Sequence, residues 1–232
     1  MKVLLVVSIG FCSLAVFFTN CAQVGSGGAG EQALQSTGKT CYPGPGATGS
    51  PKTIEEAVTL INSLPKPVTI TCFIESLDRP LDLFATFSAS SAQPAGGQDN
   101  PRFFLFKGGL AMSVVPTGAG KNMVEFGQKT AVATSLKGEL EFPIVDTIPL
   151  SLPFDRIRYG SGTACRFCHT NETTGSLPNS FESELIRPDP QLVVTLPEIQ
   201  VAYNTCDPKV DPYRCEIFKA ILSYGQVRSK NF

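Results

Sequence analysis

Tryptophan is missing from this chain of 232 residues, and histidine occurs once, at His169. A lone histidine excludes any site that needs two imidazoles from the same chain. Methionine is almost as scarce: after Met1 only Met112 and Met123 occur, and none follows His169. Charge is sparse as well, at 17% of residues, with 19 basic against 20 acidic side chains and no basic run. Nucleic-acid binding needs a basic footprint, so nucleic acid is not an expected partner. Outside the N-terminus no apolar run approaches the roughly 20 residues of a bilayer-crossing helix. The processed chain is therefore not expected to span a membrane. What is plentiful is glycine and proline, 21 and 18 residues, a composition of many turns and short elements.

Cys165-Arg166-Phe167-Cys168-His169 draws two of the eight cysteines and the sole histidine into one CxxCH pentapeptide. Shuffling these residues over the same length places such a motif in roughly one chain per thousand, by counting on the cysteine spacing rule. Two intervening residues let one turn of backbone present both sulfurs to one edge of a planar group, while the next side chain swings over its face. The pentapeptide resembles the haem-attachment motif of c-type cytochromes, in which two thiols add across the haem vinyl groups and the adjacent imidazole ligates iron. The resemblance implies one covalent haem c, anchored by Cys165 and Cys168, with His169 as the proximal iron ligand. It covers residues 165–169 and carries no fold and no redox partner to the rest of the chain. The usual downstream methionine is missing, so Met112 or Met123 is a possible distal ligand. A lysine, a tyrosine or an open iron face are the other choices.

Other roles for the same residues fit less well. A redox-active CxxC of the thioredoxin kind needs a strand leading into a long helix whose N-terminus depresses the first thiol. Gly160-Ser161-Gly162-Thr163-Ala164 before the motif offers no such context. A zinc site would need a fourth ligand, and adjacent Cys168 and His169 rarely both reach one tetrahedral ion. Gly118-Ala119-Gly120-Lys121 lacks the rest of a phosphate loop and reads as a turn.

Met1-Lys2 followed by the apolar run Val3–Phe18 reads as a secretory signal over residues 1–20. Cys21 and a Gly/Ser-rich stretch follow, and this order resembles a bacterial lipoprotein with Cys21 as its lipidated first residue. The expected location is the cell envelope, with an N-terminal lipid as the membrane contact; an ordinary secreted or periplasmic protein is the alternative. Four cysteines then remain, Cys41, Cys72, Cys206 and Cys215, in a compartment where disulfides persist. Of three pairings, Cys206 with Cys215 closes the shortest loop and costs least entropy, which leaves Cys41 with Cys72.

Residues 21–52 read as a Gly/Pro-rich tether, 53–160 as a β-rich domain and 161–232 as a haem-bearing segment. The tether ends at a helix over 53–64. Thr53 caps it, Glu56 stands at the capping-box position, and Ile54, Ala57, Val58, Ile61 and Leu64 form its stripe. Period-two patterning then predicts strands at 68–74, 81–88, 102–106, 110–115, 123–126, 129–136 and 139–145. Gly108-Gly109 and Thr117–Asn122 are the turns, and 181–186 and 192–196 read as short extended pieces. Residues 212–224 form a last helix. The expected fold is mainly β within the α+β class, an antiparallel sandwich or small barrel with a few short helices.

These readings predict a mono-haem electron carrier of the bacterial cell envelope rather than an enzyme, working with a redox partner protein. The alternative is a non-catalytic β-rich envelope lipoprotein serving as a binding, structural or haem-based sensing module.

Overall fold

The structure, a computed structural model, describes residues 38–232. The signal reading at 1–20, lipidation at Cys21 and the tether up to residue 37 lie outside the described residues.

Residues 54–76 form two helices, α1 (Ile54–Ser63) and α2 (Ile70–Ser76). Five longer strands follow: β1 (Leu81–Thr86), β2 (Arg102–Lys107), β3 (Leu110–Val114), β4 (Met123–Lys129) and β5 (Thr134–Glu141). A short helix α3 (Leu152–Arg156) precedes a two-stranded ribbon, β6 (Arg158–Tyr159) with β7 (Gly162–Thr163). Then come β8 (Thr173–Thr174), β9 (Phe181–Glu184), α4 (Leu196–Asn204), α5 (Pro212–Leu222) and β10 (Val227–Ser229).

Eight strands make one sheet in the order β10-β1-β2-β3-β4-β5-β9-β8. Neighbours are antiparallel except β1 and β10, which run parallel. The α+β expectation holds, in the form of a single open sheet rather than two packed sheets or a closed barrel. The edges are β10 and β8, contributed by the C-terminal part of the chain, so the sheet crosses the boundary drawn at residue 160.

The two faces differ sharply, as period-two geometry allows. One carries Leu83, Leu105, Met112, Phe126 and Leu140, buried beneath the apolar sides of α1, α2 and α5. Phe103 meets Phe218 of α5 edge-on at 5.6 Å between ring centres. The other face begins with an aromatic group, Phe84, Phe104, Phe106 and Phe232. It turns charged towards β4 and β5, where Arg102, Ser113, Glu125 and Lys137 stand.

Helix α1 forms as expected, with Thr53 Oγ1 accepting from Glu56 N at 3.1 Å. Segment 68–74, expected as a strand, instead enters helix α2. Thr69 Oγ1 caps it by accepting from Cys72 N at 3.1 Å. Ile70, Phe73, Ile74 and Leu77 fall at helical spacing and are buried. Alternating β-branched residues there imitate a strand, and the period-3.6 stripe wins because it is the one that finds the core. The strands expected at 129–136 and 139–145 merge into β5, while β4 runs on to Lys129 and the turn falls at 130–133.

Candidate functional site

The CxxCH residues sit in a tight turn placed by the β6–β7 ribbon. Gly160, at φ 60°, turns the ribbon, and Thr163 begins a 3-10 turn over Ala164–Phe167. Thr163 Oγ1 accepts from Cys165 N at 3.2 Å. The amides of Cys168 and His169 both donate to the Cys165 carbonyl, at 3.1 and 2.8 Å. Glu172 braces this entry: its carboxylate accepts from Thr163 N at 2.9 Å and from the Thr163 hydroxyl. A Cβ at Gly162 would lie 2.2 Å from Glu172 Oε1, so a larger residue there would displace this carboxylate.

Glu184 on β9 grips the residues after the turn. Its N–H donates to the Thr170 carbonyl at 3.1 Å, and its carboxylate accepts from the Thr170 hydroxyl and from Asn171 Nδ2. These bonds hold the Glu184 carboxyl below the usual carboxylate range. Its carbonyl lies 2.7 Å from His169 Nδ1. A carbonyl can only accept, so Nδ1 carries the hydrogen and Nε2 keeps its lone pair. Lys137 Nζ reaches the same carbonyl at 3.3 Å and also donates to Ser135 Oγ.

Partial burial shifts three groups in this otherwise exposed corner. Burial lowers Lys137 to about 8, with the neighbouring Cys165 acting the other way. Burial also lowers His169, helped by Lys137 and opposed by the Glu184 carbonyl bond. The neutral imidazole is thus favoured. Burial pushes the Cys165 thiol up to about 11, against the Thr163 hydrogen bond. This is the reverse of the activated thiol that the thioredoxin-like reading requires.

Beside the turn opens a cavity of about 800 Å³, whose lining includes Gly162, Phe167, His169, Thr170, Glu172 and Phe181. That is within the roughly 300–1,000 Å³ of cofactor and ligand sites. Its rim is aromatic and cationic. Tyr159 and Phe167 meet edge-on at 5.5 Å, Arg166 lies over both rings, and Arg158 lies 4.8 Å over Phe181.

The two disulfides pair as expected. Cys41 bonds to Cys72 and Cys206 to Cys215, while Cys165 and Cys168 are free, the latter exposed.

Two expectations need correcting. Met112 is fully buried between Leu105 and Phe126, on the sheet face away from Lys137 and the CxxCH turn. Met123 shares the face of Lys137 but stands four residues along β4 from Gly127, the partner of Lys137, which is about 13 Å of strand. Neither stands beside His169, so the fold gives no support to either as distal ligand. Metal binding by a cluster of the chain's own side chains is overturned too. Among the described residues no group of three or more His, Cys, Asp or Glu side chains is placed to hold a metal ion. Haem, iron and cytochrome character accordingly gain no support from side-chain clustering, and His169 is a lone donor.

Glu172, Glu184 and Lys137 were not legible as site residues. Their partners lie 9, 15 and 47 residues away, and no local motif marks them. No described helix is long and apolar enough to cross a membrane. Comparison with protein families, with curated proteins and with solved structures finds no match.

Proposed function

We propose that Cys165 and Cys168 carry one haem c through thioethers, with His169 as its proximal ligand, and that the chain is a mono-haem electron carrier of the bacterial cell envelope. The observation that carries this reading is the 2.7 Å contact of His169 Nδ1 with the Glu184 carbonyl. A ligating imidazole almost always gives its second ring N–H to a carbonyl, carboxylate or water, which fixes ring and tautomer. Here that partner is in place and Nε2 is left as the donor, next to the two free thiols among the described cysteines.

When bound, haem supplies a one-electron iron couple whose potential is set by axial ligand, burial and nearby charge. The residues of this chain do the remaining work. Cys165 and Cys168 would hold the group through two thioethers, each formed by adding S–H across a vinyl double bond with the hydrogen going to the adjacent carbon and no net oxidation. Glu184 orients His169 and Glu172 fixes the turn that carries both thiols. Phe167, Tyr159 and Phe181 present flat apolar surface at the cavity rim, where they would pack on a planar group. Two disulfides fit an oxidising, exported setting. The signal and Cys21 make that setting the envelope, with lipid as the anchor and a redox protein as the partner.

The test is production in a host with a haem c maturation system, followed by acid-acetone extraction and denaturing electrophoresis. Haem that stays with the chain and gives a c-type pyridine haemochrome supports the reading. Haem that is absent or extractable from a folded chain ends it.

A further inference from the structure

The two disulfides differ in what surrounds their sulfurs. Cys41 is buried, its amide is held by the Glu75 carboxylate at 2.8 Å, and its sulfur meets the neutral Thr40 hydroxyl at 3.9 Å. Cys206–Cys215 is built otherwise. It closes the connection between α4 and α5, and both of its residues are partly exposed. A guanidinium stands at one of its sulfurs: Arg214 Nη1 donates to Cys206 Sγ at 3.4 Å.

That guanidinium is fixed in place. Its Nη2 donates to the Asp99 carbonyl at 3.0 Å, and it lies 4.9 Å over the Phe218 ring. Its Nε is buried with no acceptor, and it forms no ion pair among the described residues. The two carboxylates of the intervening loop turn to backbone amides: Asp211 accepts from Arg214 N at 3.2 Å and Asp207 from Lys209 N at 2.8 Å. A cation held beside a sulfur favours negative charge on it. In thiol–disulfide exchange the departing sulfur takes up that charge, and it leaves faster the more acidic its thiol. Here that sulfur is Cys206, which packs against the apolar core. Cys215, in the first turn of α5, is left as the one attacked.

We propose that Cys206–Cys215 is a thiol–disulfide exchange site for a dithiol partner, with Cys206 as the leaving thiolate beside Arg214. One thiolate of the partner bonds to Cys215 Sγ as the Cys206–Cys215 bond breaks, and the electron pair of that bond stays on Cys206 Sγ. The partner's second thiol then attacks its own sulfur in the mixed disulfide and releases Cys215. Two electrons pass to this chain, which ends as two thiols carrying the partner's two protons, while the partner ends as a disulfide. The exchange frees the loop between α4 and α5 from its covalent closure. It involves neither the CxxCH turn nor haem, so it stands apart from the reading proposed above.

The experiment treats the folded, processed chain with dithiothreitol, quenches with an alkylating reagent at intervals and maps each cysteine by peptide, with circular dichroism following the fold. Cys206 and Cys215 should become labelled while Cys41–Cys72 stays closed. With 2-mercaptoethanol, a monothiol that cannot complete the second step, the adduct should sit on Cys215. Arg214→Gln should slow the opening roughly three- to tenfold, and Arg214→Lys should restore most of the rate. A variant that needs no bridge gives a separate readout: in Cys215→Ser the Cys206 thiol, followed by alkylation rate against pH, should titrate below the ordinary value of about 8.5. The proposal is overturned if the two bridges open at the same rate, if the adduct forms on Cys206, if Arg214→Gln opens as fast as wild type, or if Cys206 titrates at or above that value.

Discussion

His169 and Lys137 share one acceptor, the Glu184 carbonyl, at 2.7 and 3.3 Å. Two donors on one oxygen set the chemistry of this corner, because burying an ammonium here disfavours its charge. An ordinary lysine loses its proton at 10.5, whereas Lys137 does so at about 8. Between those values the unfolded chain binds more protons than the folded one, so stability rises with pH across that window; below 8 the burial penalty is fully present. Comparing urea unfolding of wild type and Lys137→Met isolates this effect. From pH 8 to 10.5 the wild type should gain on the order of 3 kcal/mol relative to the variant. Cys165 drives the opposite trend between 9 and 11, and because it interacts with Lys137 both proteins should carry Cys165→Ser. A second residue-level prediction concerns Glu172, which takes two charge-assisted bonds from Thr163. Glu172→Ala should cost about 1–3 kcal/mol and speed amide exchange at Thr163. Unchanged exchange there would show that the carboxylate does not brace the turn. The pentapeptide was legible because its chemistry lies within five consecutive residues. Glu172, Glu184 and Lys137 were not, because only the fold brings them to it.

Among the elements, α2 shows where local pattern and tertiary structure part. Val68-Thr69-Ile70-Thr71 alternates like a strand, yet Ile70, Phe73, Ile74 and Leu77 need one side of a helix to reach the core. Cys72 is then turned to Cys41, across a loop of 31 residues. The paired substitution Cys41→Ser with Cys72→Ser should lower stability by about 3–4 kcal/mol on the chain-entropy account, measured by denaturant midpoint under non-reducing conditions. A change much smaller than that would mean that other contacts, such as Glu75 accepting from Cys41 N at 2.8 Å, already hold the segment in place. Helix α4 was missed for a related reason. Leu196-Pro197 looks like the end of an extended piece, but Thr195 and Glu198 form a reciprocal capping box and proline suits the first turn. The disulfide pairs, by contrast, were readable from loop length and elimination.

At the scale of the molecule, one open sheet separates an apolar, helix-covered face from a polar face that carries the CxxCH turn. Strand periodicity revealed the sheet, but not whether it would close, since closure depends on which strands take the edges. Here β10 and β8, two of the shortest strands, do so. The separation of faces has a direct consequence for Met112. Met112→Ala should cost about 2–5 kcal/mol through the cavity it leaves, while the visible spectrum of the haem-loaded protein stays unchanged. A spectral change specific to that substitution would place the methionine on the wrong face. The central claim, that the turn is built to carry haem through both thiols, is tested most directly by intact mass and peptide mapping of processed protein from a maturation-competent host. The account predicts one haem per chain, on a single peptide containing Cys165, Cys168 and His169, with both thiols closed to alkylation. Cysteines found free, or joined to each other as a disulfide in the folded protein from that host, would contradict it.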